Sequence, residues 1–113
     1  MSTTPAVTDA TFDAEVLRST LPVVVDFWAP WCAPCRMVAP VLAELAVVYR
    51  DRLRFVAVDT EESPEVAARY GIVSIPTLYV FAGGELIRAV PGAREKRAYA
   101  AELDAALADI ATL

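Results

Sequence analysis

Residues 21–40 read LPVVVDFWAPWCAPCRMVAP, and the fold of the chain turns on how they are read. The first nine, 21–29, are an almost continuous β-branched and aromatic run. Such a run suggests a strand buried on both faces, as in a sheet covered by helices on each side. From Cys35 onward the period changes: Met37, Val38, Val41, Leu42, Leu45 and Val48 recur at helical spacing, which predicts a helix over 34–50. Pro40 falls inside it, cannot donate to the carbonyl of Arg36 and crowds that turn, so a kink is expected there. A buried strand therefore ends, and a helix begins, at Trp31-Cys32-Ala33-Pro34-Cys35.

Working outward, residues 1–7 read as a loose start, with a short edge strand expected over 3–8. Residues 9–19 have helical character, acidic early and with Phe12, Val16 and Leu17 on one face. Residues 53–59 form a second buried run. Ser63-Pro64-Glu65 is a helix start, with a hydroxyl N-cap, proline at the first helical position and an acid in the first turn. That helix is expected to end at Tyr70, with Gly71 as a left-handed C-cap. Strands over 77–81 and 85–90 are separated by Ala82-Gly83-Gly84, a hairpin signal. A final helix spans 94–110 with Tyr99, Leu103, Ala106 and Ile110 on one face. The order β-α-β-α-β-α-β-β-α predicts a single α/β domain over 1–113: a three-layer α/β/α sandwich whose central mixed sheet of about five strands is flanked by four helices. Its first half should be parallel and its last two strands an antiparallel hairpin.

Composition narrows the chemistry. The chain has 113 residues, 57% of them hydrophobic, which suits one domain with a core of its own; about 65% of the unfolded surface should be buried. There are two cysteines, no histidine and one lysine among ten basic residues. Histidine-based triads, metal sites and proton shuttles are therefore impossible. The net charge of -5 and scattered arginines (Arg50, Arg52 and Arg54 alternate) argue against nucleic acid as a partner. The longest nearly apolar run, 21–41, is broken by Asp26, Arg36 and four prolines, so no membrane span is expected. The first twenty residues lack a positive n-region and an apolar h-region, and the chain reads as cytoplasmic. Structural disulfides are rare in that compartment, so the two cysteines need another explanation.

Their placement supplies one. Cys32 falls at the helix N-terminus, where unpaired N–H groups and the macrodipole favour a negative charge and depress a thiol pKa. Cys35 lies one turn deeper on nearly the same side, placed to resolve a mixed disulfide formed at Cys32. Three other readings stand beside this one. A structural disulfide would close a loop too short to stabilise much. A zinc or iron–sulfur site needs four ligands, which only a dimer sharing two pairs could supply. Two unrelated buried cysteines are the third. Asp26, within Val25-Asp26-Phe27, is a buried carboxylate expected to have a raised pKa. It is either a structural aspartate bonded to a hydroxyl or backbone group, or the proton acceptor for Cys35. Pro76, in Ile75-Pro76-Thr77, opens a strand; by sequence alone its peptide bond is expected to be trans.

The stretch VDFWAPWCAPCRMVAP, then GIVSIPTLYVFAGGE, then Gly92 after a strand, closely resembles the thioredoxin family, and the resemblance runs from about Thr8 to Ile110. It implies that Cys32 is the attacking thiol, Cys35 the resolving thiol and Asp26 the buried acid. It further implies that Pro76 is a cis-proline against the sulfurs, and that the backbone of Ile75 pairs with substrate like an added strand. By the same resemblance Trp31, Ala33, Pro34, Val73, Ser74, Ile75 and Gly92 rim a shallow docking surface, with ordinary core as the alternative reading of Val73 and Ile75. The implied partners are protein disulfide substrates and a thioredoxin reductase-type electron donor. No cofactor is expected on this chain, NADPH and flavin belonging to the reductase, and the expected state is a monomer. Two alternatives remain: a thioredoxin-fold interaction module with dispensable cysteines, and a metal-bridged dimer.

Two departures carry consequences. Ala57 stands where many thioredoxins have a lysine near the buried acid, so the Asp26 pKa is expected to be higher than with that cation. Ala33 stands where most have glycine, favouring the helix by about 1 kcal/mol. It adds no charge, so a reducing potential near the family's usual range is expected. Redox titration of the Cys32–Cys35 couple checks this, and a potential near that of strong oxidases refutes it.

Overall fold

The run Val23-Val24-Val25 and the aromatics beyond it extend as β1 (Val23–Trp28) in a computed structural model that describes residues 4–113. β1 is paired along both edges. β2 (Arg54–Asp59) runs parallel on one side, with Asp26 opposite Ala57, and β3 (Thr77–Ala82) antiparallel on the other, with Asp26 opposite Leu78. β4 (Glu85–Pro91) pairs antiparallel with β3, giving the order β2-β1-β3-β4. The β3–β4 turn places Gly83 at φ 58° and Gly84 at φ 83°, the paired positive angles that a two-residue hairpin of the right twist demands. A Cβ on Gly84 would also come within 3.1 Å of the Leu17 carbonyl oxygen.

Strand alternation sends β1 side chains into two separate cores. On one face Val24, with Leu78, Val80 and Val90, packs against α1 (Ala33–Val48) and α3 (Lys96–Ala111) through Val38, Leu42, Leu45, Tyr99, Leu103 and Ala106. On the other, Val23, Val25 and Phe27 meet Phe12, Val16 and Val66, carried by the 12–17 segment and by α2 (Pro64–Arg69). Each large side chain so buried stabilises the fold by roughly 1.5–3 kcal/mol. The result is the expected three-layer sandwich.

Its details depart from expectation in four places. The edge strand expected over 3–8 is a single parallel bridge between Ala6 and Ala57, held by Val7 N–H to Ala57 O at 2.8 Å and Ala57 N–H to Pro5 O at 2.9 Å. Pro5 has no N–H to extend the ladder, so the described sheet has four strands rather than five; Thr3 lies outside the described residues. The helix expected over 9–19 is a five-residue π-helical turn, Asp13–Leu17, closed by Arg18 N–H to Asp13 O at 3.1 Å. It still buries Phe12 and Val16. α1 runs through Pro40 as one helix, as its spacing predicts, and because Arg36 and Pro40 both face solvent, water can satisfy the carbonyl left without a donor. Its core face is narrower than the apolar pattern implied: Val38, Leu42 and Leu45 are buried, whereas Met37 and Val48 are exposed. A helix on one side of a sheet covers it with a single stripe, and residues on the far side stay wet whatever their polarity.

The fourth departure concerns the start of α2. Ser63 occupies the N-cap position, but its hydroxyl makes no cap; it accepts the N–H of Asp9 at 3.3 Å. The free N–H groups of Glu65 and Val66 go instead to the Asp9 carboxylate, at 3.2 and 2.8 Å. A carboxylate from a distant segment thus caps the helix and complements its dipole. Asp9→Ala is expected to cost about 1 kcal/mol, read as a fall of about 4 °C in thermal melting, with Asp9→Asn retaining most of the stability. Equal melting of Asp9→Ala and the parent protein refutes this role.

Candidate active site

The cysteines sit where β1 delivers the chain to α1. Cys32 is the N-cap residue, extended at φ -86° and ψ 107°, and its Sγ accepts the backbone N–H of Cys35 at 3.2 Å. The sulfur therefore does what a serine or aspartate oxygen does at other helix starts. Pro34 preorganises the first turn, as proline does at that position. Cys32 and Cys35 form a disulfide with their Cα atoms 5.3 Å apart. Both residues are only 4% exposed and pack with Ala29, Trp28 and Ile75. The Sγ of Cys32 lies 3.9 Å from the Ile75 carbonyl oxygen.

The Ile75–Pro76 peptide bond is cis, against the expectation from sequence alone and in keeping with the family resemblance. The turn around it is tied down by its neighbours. Thr77 donates its hydroxyl to Ser74 O at 2.7 Å, and the Gly92 N–H reaches Pro76 O at 2.8 Å. Gly92, at φ 89°, offers its own carbonyl to the Tyr99 hydroxyl at 3.0 Å. β4 and α3 thus help to fix the loop that faces the sulfurs.

Trp31, Val73, Ser74 and Ile75 come together in one open cleft of about 200 Å³ beside the disulfide. Trp31 is 64% exposed and Val73 97%, so neither is the ordinary core residue that apolar character suggests. Ala33 and Pro34 are exposed on the helix start, and Gly92 lies behind Pro76; none of the three lines this cleft. Thr60 and Ile72 do line it, and Glu61 accepts a hydrogen bond from the Trp31 indole N–H. Sequence reading had singled out none of these three. The signal was topological: β1 and β2 are parallel, so the residue after β2 emerges at the same edge as Cys32, where sites collect in such sheets.

Asp26 is buried, and its Oδ1 has no hydrogen-bond partner among the described residues. It points with Val24 toward the face of the sheet that α1 and α3 cover. Burial pushes its carboxyl from the ordinary 3.8 up to about 7. Ala57, its cross-strand neighbour, brings no cation to oppose this. The reading of Asp26 as a structural acid bonded to a hydroxyl or backbone group finds no such bond at Oδ1. Burial likewise raises the Tyr99 hydroxyl, with a smaller contribution from the Asp26 charge. No group of three or more histidine, cysteine, aspartate or glutamate side chains suited to a metal occurs among the described residues. No helix there is long and apolar enough to cross a membrane.

A disulfide at a helix N-terminus, facing a cis-proline loop, above a buried acid, defines a thiol–disulfide exchange site. Comparison with known proteins agrees. Residues 3–105 match the family model described as Thioredoxin. The chain is 57% identical over 104 residues to thioredoxin 1 of Synechococcus elongatus, covering 92% of this chain and 97% of that protein. It is 55% identical over 91 residues to the chloroplastic M-type thioredoxin of Chlamydomonas reinhardtii, covering 80% of this chain and 65% of that one. It is also 48% identical over 97 residues to the bifunctional thioredoxin reductase/thioredoxin of Mycobacterium leprae, covering 86% of this chain and 21% of that one. The chain belongs to the thioredoxin family. It is a thiol–disulfide oxidoreductase that works through the Cys32–Cys35 pair.

The raised carboxyl ties stability to pH with a definite sign. Folded Asp26 holds its proton more tightly than unfolded Asp26, so its contribution is fully present below pH 3.8 and is lost as pH rises toward about 7. Above that, a buried charge costs on the order of 4 kcal/mol. Asp26→Asn should therefore stabilise the protein markedly at pH 8 and hardly at all at pH 4, measured by denaturant unfolding at both. A gain of equal size at the two pH values, or an Asp26 titrating near 4 by NMR, refutes this account.

Proposed function

We propose that the chain reduces disulfides in other proteins by dithiol–disulfide exchange, with Cys32 attacking and Cys35 resolving. The observation that carries this assignment is the N-cap position of Cys32, whose Sγ receives the Cys35 N–H. In the reduced protein the same donor and the helix dipole favour a thiolate on Cys32. That thiolate attacks one sulfur of a substrate disulfide, forms a Cys32–substrate bond and expels the other substrate sulfur as a thiolate. Cys35 then gives its thiol proton to the Asp26 carboxylate and attacks the Cys32 sulfur. The Cys32–Cys35 bond closes, and the second substrate thiolate leaves. Two electrons have passed to the substrate. A carboxyl near pH 7 suits this work, because it both takes and returns a proton in neutral solution.

Docking in this reading uses Trp31 and the 73–75 loop as an apolar rim, with Ala33, Pro34 and Gly92 around the disulfide. Pro76 keeps the Ile75 backbone turned toward substrate, which adds to it as a strand. The oxidised pair is re-reduced by an external donor of the thioredoxin reductase type, which carries the NADPH and flavin; this chain needs no cofactor. The reductase and thioredoxin joined in the Mycobacterium leprae relative support that pairing. We further infer that the chain acts as one domain and as a monomer, without nucleic acid or membrane partners. Its place is the cytoplasm, where dithiols are kept reduced for exchange.

Insulin reduction with dithiothreitol, followed by turbidity, tests the proposal. Cys32→Ser should abolish the acceleration, and Cys35→Ser should leave a covalent mixed disulfide on Cys32 that gel electrophoresis without reductant detects. Full activity in Cys32→Ser would overturn the assignment.

A further inference from the structure

Trp31 precedes the attacking cysteine and stands 64% exposed at the lip of the cleft. An indole so exposed has little packing to choose its rotamer, yet its N–H is bonded to the Glu61 carboxylate. Glu61 in turn sits on an anchored turn. Its own N–H reaches Asp59 Oδ1 at 2.9 Å, and the N–H and hydroxyl of Thr60 both reach Trp28 O, at 2.8 and 3.2 Å. Trp28 closes β1, and Asp59, its cross-strand partner, closes β2, so the turn is fixed to the sheet itself. A chain of hydrogen bonds therefore runs from the sheet through 59–61 to a ring that walls the cleft.

We propose that Glu61 is a positioning residue for protein substrates: it holds the Trp31 ring upright as one wall of the docking cleft. The proposal rests on the reading of Trp31 as part of the docking rim. A freed ring must be ordered again each time a substrate binds, and that ordering weakens binding without touching the sulfurs. Glutamine keeps an acceptor oxygen at the same reach, whereas alanine removes it.

Insulin reduction kinetics on the full chain test this with four variants. Glu61→Ala should raise KM about fivefold, the weight of one hydrogen bond, with kcat within about twofold. Glu61→Gln should restore KM. In a Trp31→Ala background, which raises KM by itself, Glu61→Ala should add nothing further. The Trp31 indole N–H resonance should also move and exchange faster with water in Glu61→Ala. An unchanged KM in Glu61→Ala overturns the proposal, as does failure of Glu61→Gln to rescue, or a further rise in KM in the Trp31→Ala background. If Trp31→Ala itself leaves KM unchanged, the docking-rim reading has failed and this proposal falls with it. If Trp31→Ala raises KM and Glu61→Ala does not, the positioning role alone is wrong.

Discussion

Everything in this molecule depends on β1 being enclosed on all sides. Its backbone pairs with β2 along one edge and β3 along the other. Its side chains are covered by α1 and α3 on one face and by α2 and the 12–17 segment on the other. A strand so placed has no freedom to shift register, since a one-residue slip would send Asp26 into an aromatic core and Phe27 toward α1. Because β1 is fixed, the point at which the chain leaves it is fixed, and Cys32 is held at the first turn of α1. The same enclosure strips Asp26 of water and raises its carboxyl to about 7. The dithiol and the buried acid are thus placed by one constraint.

Around that strand the molecule divides its work by stability. The two cores are built from aliphatic and aromatic side chains, with the Tyr70 ring meeting Tyr79 and Phe81 edge to face. At the C-terminal edge of β1 the surface opens into a cleft walled in part by the exposed Trp31 and Val73, with polar ties around it: Trp31 to Glu61, and the cis-proline turn to Thr77 and Gly92. Trp31 and Val73, left in water, add little to the stability of the fold. The disulfide itself closes too short a loop to contribute much to folding, which leaves it free to serve exchange.

Strongly periodic segments were legible from residues alone. The change from a period of two to 3.6 across Cys32 placed β1, α1 and the dithiol between them. The positive-φ glycines marked the hairpin and the end of α2. Asp26 was legible as a buried acid because charge inside a two-sided apolar run has few alternatives. Less legible were features in which one segment completes another. Ser63 looked like the cap of α2, yet Asp9, more than fifty residues earlier, supplies the carboxylate. Met37 and Val48 carry an apolar pattern that no neighbouring element covers.

The sequence by itself determined the layered α/β fold, the dithiol at a helix start and the absence of any imidazole to share its protons. These follow from local periodicity and residue chemistry, which need no knowledge of distant contacts. Tertiary structure alone decided the reduction of the edge strand to one bridge, the capping of α2 and the tie from Glu61 to Trp31. Each joins groups far apart in the chain, and only the register of β1 against β2 and β3 brings such groups within reach of one another.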